Sequence, residues 1–431
     1  MIDPRIFRDA DAFAAARERL LRRGETAALT SLLQELRDAA ERRRRAIAEG
    51  EALTAEQNAK SRAVGERKKR GEDAGPLLAE LAGLKQRAAE ATTAAETLDR
   101  SFHERLLEVP NVPAADVVAG DASKNEVVRT WGEPITPKHW HRPHWDIGSS
   151  LGILDAERAG KLSGSGFPLY LGLGARLERA LIDCLVRLQA DEHGYTEVSP
   201  PFVVNRATMT GTGQLPKFEA DMYRLDADDL FLIPTAEVPV TNLFRGEILA
   251  GEDLPKRFVA YTPCWRREAG AHGADTRGIL RVHQFDKVEL VRFETPERSD
   301  GAHEELTRHA EAALQRLGIA YRVVKIAAGD MGFANHRQYD LEAWAPGVGK
   351  WLEVSSCSTY ADYQARRMDI RYRPARGAKP EFVHTLNGSA LGLARTFIAV
   401  LETYQQEDGS VRVPDALVPL MGTRAIGSGA A

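Results

Sequence analysis

Arginines and carboxylates able to hold two different substrates crowd into one stretch of this 431-residue chain, PCWRREAGAHGADTRGILRVHQFDKVEL at 263–290. A short apolar approach, Phe258-Val259-Ala260-Tyr261, delivers Arg266, Arg267 and Glu268 together at its end. Residues 269–278, rich in Ala, Gly, His and Asp, fit neither helical nor strand periodicity and read as a loop. The chain returns through 281–290, where period-two alternation sets Arg281, His283, Phe285, Lys287 and Glu289 on one strand face. Arg suits planar, bidentate capture of phosphate or carboxylate and stays charged at any working pH. A carboxylate farther along the same face captures an amine or a hydroxyl. So read, the hairpin holds a nucleotide at one end and an amino acid at the other. A merely solvated hairpin with a charged outer face, common in antiparallel sheets, is the alternative.

A second run, KWLEVSSCS at 350–358, has strand character. Alternation places Glu353 and Ser355 on one face with Ser356 at the strand end, oxygen ligands of the kind Mg²⁺ takes. A polar edge strand is the plainer reading. The chain has neither the G-x-x-x-x-G-K-[ST] loop nor a Rossmann glycine fingerprint, so ATP would have to bind by another route.

The run R-x-E-A-G…D-T-R-G-I-L-R-V-H-Q-F-x-K-V-E resembles motif 2 of the class II aminoacyl-tRNA synthetases, and specifically that of the bacterial-type seryl-tRNA synthetases. The resemblance extends over nearly the whole chain. The helix and strand at about 177–204, ending Ser199-Pro200-Pro201, look like motif 1, which builds the dimer interface of the family. Residues 384–404, opening HTLNGSALGLART, look like motif 3. Two alanines, Ala390 and Ala394, stand there where the family has glycines, and their methyls are expected to crowd the nucleotide or be absorbed by small neighbours. Pro234-Thr235-Ala236-Glu237 matches the T-x-E loop of the family, and residues 211–218 resemble a loop near its site, with Lys217 a phosphate or tRNA contact.

The resemblance implies serine–tRNA ligase activity. Serine and ATP give seryl-adenylate and pyrophosphate, and the seryl group then passes to the 3′ end of tRNA(Ser), and of tRNA(Sec) where present. Both reactants of the first step are anionic, so catalysis is positioning and electrostatic clamping rather than acid–base work. The family pattern gives Arg266 to the α-phosphate and the serine carboxylate, Arg281 to a distal phosphate and Arg395 to the γ-phosphate. Glu268 would accept from adenine, with Phe285 under the ring and Arg267, Val282, Val354 and Ser355 alongside. Glu353 and Ser356 would hold Mg²⁺ and ATP; no zinc is expected. Serine would meet Thr235, Ala236, Glu237, Arg266, Glu289, Asn387 and Ser389. A buried polar set of this kind rejects alanine by leaving its own groups unpaired, whereas threonine and cysteine must be excluded by size.

Positioning these residues requires a folded core, and the composition allows one. Hydrophobic residues are 43% and charged residues 28%, with net charge −4, which argues against a chain coated in nucleic acid. No apolar run reaches the ~18 residues of a membrane span. The start, MIDPRIFRDADAF, has early acidic residues and no apolar core, unlike a secretory signal. Cys184, Cys264 and Cys357 are widely spaced, as expected of reduced thiols in a cytoplasmic protein.

Between Arg42 and Arg70, ten basic residues (Arg42, Arg43, Arg44, Arg45, Lys60, Arg62, Arg67, Lys68, Lys69, Arg70) face only Glu49, Glu51, Glu56 and Glu66. Residues 32–64 favour helix. Gly71 to Pro76 break it, and Leu77, Leu81, Leu84, Ala88, Ala91, Ala95, Leu98 and Phe102 then form a heptad seam. An antiparallel coiled-coil arm roughly 50 Å long is expected over 1–110, with Arg43 and Gly50 interrupting the seam of its first helix. In the family such an arm embraces tRNA, here through Arg42 to Arg45, Lys60, Arg62, Lys68 and Lys69.

A linker follows over 111–172, irregular to about Phe167. Its Lys138-His139-Trp140-His141-Arg142-Pro143-His144-Trp145 lacks the carboxylate or cysteine that would complete a metal site. Gly166 and Pro168 also stand where the family carries Arg and Tyr. Residues 173–431 form the catalytic core. Strand-like runs at 257–262, 278–293, 321–327, 339–344 and 350–355 alternate with helices at 299–317 and 390–404. The fold class is therefore α+β, an antiparallel sheet flanked by helices. The expected assembly is a homodimer through motif 1. The alternatives are a specialised paralogue in a biosynthetic or resistance role and a non-catalytic tRNA-binding regulator. A truncated relative loading carrier proteins is disfavoured by the basic arm.

Overall fold

The computed structural model describes residues 1–24, 26–268 and 277–427. The loop residues 269–276 of the sequence reading lie outside this set. The chain divides into two compact units, Met1–Pro110 and Asn111–Ala431.

In the first unit a short helix α1 (Ala10–Leu21) precedes two long ones, α2 (Ala27–Lys69) and α3 (Gly75–Leu106), which pack along their length. Thr26 caps α2 by accepting from Leu29 N, and Pro76 stands in the first turn of α3, where its missing N–H costs nothing. The 43 residues of α2 span about 65 Å, longer than the sequence reading. That reading took 32–64 from helix-favouring composition, but the helix runs on through the exposed residues 65–69. Leu84, Ala88, Ala95 and Phe102 of the seam are buried. Arg43 and Gly50 belong to the seam rather than interrupting it. Gly50 is buried, and a Cβ there would lie 3.8 Å from the Ala91 backbone. Arg43 pairs with Asp99, and its guanidinium lies over the Phe102 ring, 5.6 Å from the centroid.

In the second unit an eight-stranded sheet carries the chemistry. Its strands are β1 (Glu126–Trp131), β2 (Thr196–Glu197), β3 (Lys256–Trp265), β4 (Gln284–Glu294), β5 (Tyr321–Lys325), β6 (Arg337–Ala345), β7 (Lys350–Thr359) and β8 (His384–Gly392), in the spatial order β1-β5-β6-β7-β8-β4-β3-β2. All pairings are antiparallel except β2 with β3. Helices α4 (His144–Ser150), α5 (Leu173–Arg187), α6 (Glu237–Thr241), α7 (Ser299–Leu317), α8 (Tyr363–Met368) and α9 (Leu393–Tyr404) accompany it. The largest core joins α5, α7 and α9 to the sheet through residues such as Leu181, Leu306, Leu314, Val288, Leu290 and Phe397.

Several expected boundaries shift. The return strand of the hairpin starts at Gln284, not before, because 277–283 run as turns with Gly278 at φ +70°. Residues 111–167 are not irregular throughout: they hold β1, α4 and a helix at Ala156–Ser163 whose cap is Asp155. Residues 384–392 are strand, so α9 begins at Leu393 and Arg395 lies in its first turn. Between Ser389 and Gly392 the β8–β4 register slips at a bulge, where Leu391 takes φ +92°. Cys184, Cys264 and Cys357 are buried and unpaired.

Gly388 on β8 faces α7. A Cβ there would lie 2.4 Å from Leu306 Cδ2 and 2.9 Å from Cys357 Sγ. Overpacking of this kind costs about 1–3 kcal/mol. Gly388→Ala should therefore lower the melting temperature by several degrees in calorimetry; an unchanged transition would show that Leu306 yields freely.

Candidate active site

An open cavity of about 680 Å³ lies over the face formed by β4, β7 and β8. Antiparallel register brings its walls together: Ser389 sits opposite Glu289, and Ser358 opposite Asn387. Phe285, Lys287 and Glu289 alternate along β4 and all line the cavity, as strand periodicity requires. Leu280, Arg281 and Val282 reach it from the turns before β4. His283 does not; its Nδ1 contacts Arg266 O at 3.1 Å, and its ring packs on Gly166, where a Cβ would lie 2.6 Å from Cδ2. A glycine is thus required at 166 in this chain, whose φ there is +81°.

At one end the groups suit a polyanion. The Arg266 guanidinium lies 5.1 Å from the Phe285 ring centroid. Arg281 is paired with Glu268, and Arg395 Nη1 is 3.5 Å from Glu353 Oε2 and donates to Glu353 O at 2.8 Å. Arg395 Nε also donates to Leu280 O at 3.1 Å, tying α9 to the wall before β4. Three arginines therefore converge on one concavity, two of them resting against carboxylates.

At the other end the groups are buried and suit a small polar molecule. Glu289 is 1% exposed, ion-paired with Lys287, and accepts from Ser389 Oγ at 3.4 Å. Glu237, at the start of α6, accepts from Gln364 Nε2 at 2.6 Å. Gln364 is held in turn by Thr212 O at 3.2 Å and by Thr385 Oγ1, which donates to it at 2.7 Å. Tyr360 donates to Asn387 Oδ1 at 3.0 Å. Burial, then the neighbouring Glu289, pushes the Glu237 carboxyl up to about 7, against the pull of Lys287. Burial likewise raises the Tyr360 hydroxyl well above its ordinary range.

On β7 the register with β6 slips, leaving Val354 as the extra residue between Glu353 and Ser355. The bulge overturns simple alternation. Ser355 is buried and donates to Ser389 O at 2.6 Å, whereas Glu353 and Ser356 both act on Asp340 of β6. Burial and the Glu353 charge hold that Asp340 carboxyl well above the usual range. Glu353 and Ser356 offer hard oxygen donors at the cavity wall. Among the described residues no cluster of three or more His, Cys, Asp or Glu could hold a metal. A cation that takes one or two carboxylates and fills its shell from water and phosphate, as Mg²⁺ does, fits this donor set.

Thr235, Glu237, Arg266, Glu268, Arg281, Val282, Phe285, Glu289, Glu353, Val354, Ser355, Ser356, Asn387, Ser389 and Arg395 all line the one cavity. Ala236 and Arg267 do not. Ala236 is fully buried in the small core under α6, and Arg267, past the end of β3, has its guanidinium 5.9 Å from the Tyr223 ring. Ala390 is also fully buried in the main core, so its methyl leaves the cavity alone; Ala394 does line it. Lys217 lies 4.5 Å over the Phe333 ring. On the arm, Arg42, Arg44, Arg45, Arg62, Lys68 and Lys69 are exposed. Arg43 is turned inward toward Asp99, and Lys60 bridges to Glu80 at 3.0 Å. Lys287, Tyr360 and Gln364 were not singled out as binding residues. Lys287 stood on the expected strand face; the other two carry no local signal.

Because the folded-state value of Glu237 is raised above its ordinary 4.5, its contribution to stability is present below pH 4.5 and lost as pH rises through 7. Glu237→Gln should escape that loss, gaining up to roughly 3 kcal/mol on the wild type between those limits. Thermal melts at pH 5 and pH 8 test this; a difference independent of pH would mean that Glu237 titrates normally.

The chain matches two family models: the seryl-tRNA synthetase N-terminal domain over 1–113, and the tRNA synthetase class II core domain (G, H, P, S and T) over 217–404. It is 54% identical over 429 residues to the serine–tRNA ligase of Gemmatimonas aurantiaca, covering 98% of this chain and 99% of that one. The serine–tRNA ligase of Geobacillus kaustophilus is 49% identical over 428 residues, covering 99% and 100%. Among solved structures, the seryl-tRNA synthetase of Pyrococcus horikoshii complexed with ATP superposes with a TM-score of 0.92 at 36% identity, covering 99% of each chain.

Proposed function

The chain belongs to the serine–tRNA ligases, class II aminoacyl-tRNA synthetases, and from that premise we propose how its residues divide the work. The single observation that carries the assignment is one cavity with three converging arginines at one end and a buried Glu237–Lys287–Glu289 cluster at the other. ATP takes the arginine end, a reading supported by the ATP complex of the Pyrococcus horikoshii relative. Serine takes the carboxylate end.

Arg266 stands between the two ends and holds both the α-phosphate and the serine carboxylate, so that two anions approach against their mutual repulsion. Phe285 supports the adenine ring and Glu268 accepts from it. Arg281 and Arg395 exchange the carboxylates of Glu268 and Glu353 for phosphate oxygens, and Glu353 with Ser356 would hold Mg²⁺. When bound, that ion neutralises charge on the polyphosphate. At the serine end, Lys287 compensates one of two carboxylates. The remaining negative charge suits an ammonium, and the Glu289–Ser389 side suits a hydroxyl. Thr235 and Asn387 complete the wall.

The arm of the first 110 residues grips the tRNA backbone through Arg42, Arg44, Arg45, Arg62, Lys68 and Lys69, contacts that position the substrate without reading bases. Two copies associate through 177–204, where β2 forms one edge of the sheet. No described helix is long and apolar enough to cross a membrane, and the proposed location is the cytoplasm.

Pyrophosphate exchange tests the activation step. It should depend on serine and ATP, and exchange indifferent to the amino acid would end the assignment. Arg266→Ala should reduce it by on the order of 10²–10³-fold, the scale of losing a transition-state clamp; a loss of twofold would place the clamp elsewhere. Deleting residues 30–105 should leave serine activation within a few-fold of wild type while abolishing transfer to tRNA. Equal loss of both would refute the division of labour.

A further inference from the structure

One buried polar network sits behind the cavity wall and takes no part in the roles just assigned. His144, at the start of α4, and Glu402, near the end of α9, are both fully buried. Glu402 Oε1 accepts from His144 N at 2.9 Å and lies 3.0 Å from His144 Nδ1. Its Oε2 accepts from Gly347 N at 2.9 Å and Val348 N at 3.0 Å in the turn between β6 and β7. The other ring nitrogen, His144 Nε2, accepts from Ile279 N at 3.2 Å.

These contacts determine the state of the ring. An N–H donates to Nε2, so that nitrogen must be bare, and the proton of a neutral imidazole must sit on Nδ1, facing Glu402. A buried backbone N–H left without a partner is costly, so the Ile279 contact helps to fix that turn. The fit there is close. A Cβ on Gly278 would lie 2.2 Å from His144 Nε2. Immediately beyond Ile279 come Leu280, Arg281 and Val282, all on the cavity wall, and Leu280 O is the acceptor that orients Arg395.

We propose that His144, locked by Glu402 in its Nδ1–H tautomer, is a positioning residue for the ATP half of the reaction, seating the Ile279 turn so that Arg281 and Arg395 meet the polyphosphate. The inference rests on the assignment of that end of the cavity to ATP. It gives a role to a histidine in the 138–145 segment for which sequence pattern alone offered only a rejected metal site. The serine end, built from β4, α6, α8 and β8, does not touch this network.

The test is pyrophosphate exchange by the full chain with ATP and serine varied separately. His144→Asn keeps a donor near the Nδ1 position for Glu402 but withdraws the acceptor from Ile279 N. Its KM for ATP should rise about tenfold or more while its KM for serine changes less than threefold. His144→Gln returns an acceptor near the Nε2 position and should recover most of the ATP KM. Gly278→Ala, at an exposed position, intrudes on the same contact from the other side and should reproduce the ATP defect even if His144→Asn does not fold. Equal rises in both KM values, no recovery with Gln, or an unaffected ATP KM in Gly278→Ala would each overturn the proposal. Wild-type exchange that lacks serine dependence would instead defeat the assignment of the cavity, a separate failure.

Discussion

Two-sided pairing of β4 is the constraint on which the rest of the site depends. Its ten pairs with β3, from Lys256↔Phe293 to Trp265↔Gln284, fix Arg266 just past the strand end, beside Phe285. Its pairs with β8 fix Ser389 opposite Glu289. With both neighbours in place the strand cannot slip, since a one-residue shift would turn Phe285, Lys287 and Glu289 into the core and Val288 and Leu290 into the cavity. The core behind the strand, where Val288 and Leu290 are fully buried, supplies the energy that forbids it.

Within that frame the site keeps its charges matched while it waits. Arg281 against Glu268, Arg395 against Glu353 and Lys287 against Glu289 are all pairs. Leaving a half-buried charge alone is costly, and a site for an anionic nucleotide and a zwitterion needs charges of both signs. Pairing them with one another solves the problem locally. Phosphate can then displace a carboxylate from each arginine at little net cost, because one anion replaces another. Arg266 and Glu237 stand apart from this pairing: Arg266 rests over the Phe285 ring, and burial, then the Glu289 charge, raises Glu237 to about 7.

Much of this was legible in the sequence where periodicity or a long motif carried it. The β4 face of Phe285, Lys287 and Glu289 follows from period-two alternation, and the seam of α3 through Leu84, Ala88 and Ala95 from heptad spacing. What escaped depends on contacts between distant segments. The Val354 bulge sets Ser356, rather than Ser355, with Glu353 against Asp340, and only pairing with β6 creates it. Arg43 looked like a free cation because nothing local marks Asp99 as its partner. Tyr360 reaches the cavity from the chain before α8, Gln364 of α8 holds Glu237 from behind it, and His144 reaches Ile279 across 135 positions. Of the two outcomes expected at Ala390, crowding of the nucleotide or absorption by its neighbours, only the folded core beside the Leu391 bulge decides for the second.

The most direct measurement is a crystal structure of the chain with a non-hydrolysable seryl-adenylate analogue. Arg266 should contact the linkage between the two halves, Glu268 should have left Arg281 for the adenine, and Glu237 and Glu289 should flank the serine moiety. An analogue bound elsewhere, or bound with the Arg281–Glu268 pair intact and Glu289 turned away from the seryl group, would contradict the account.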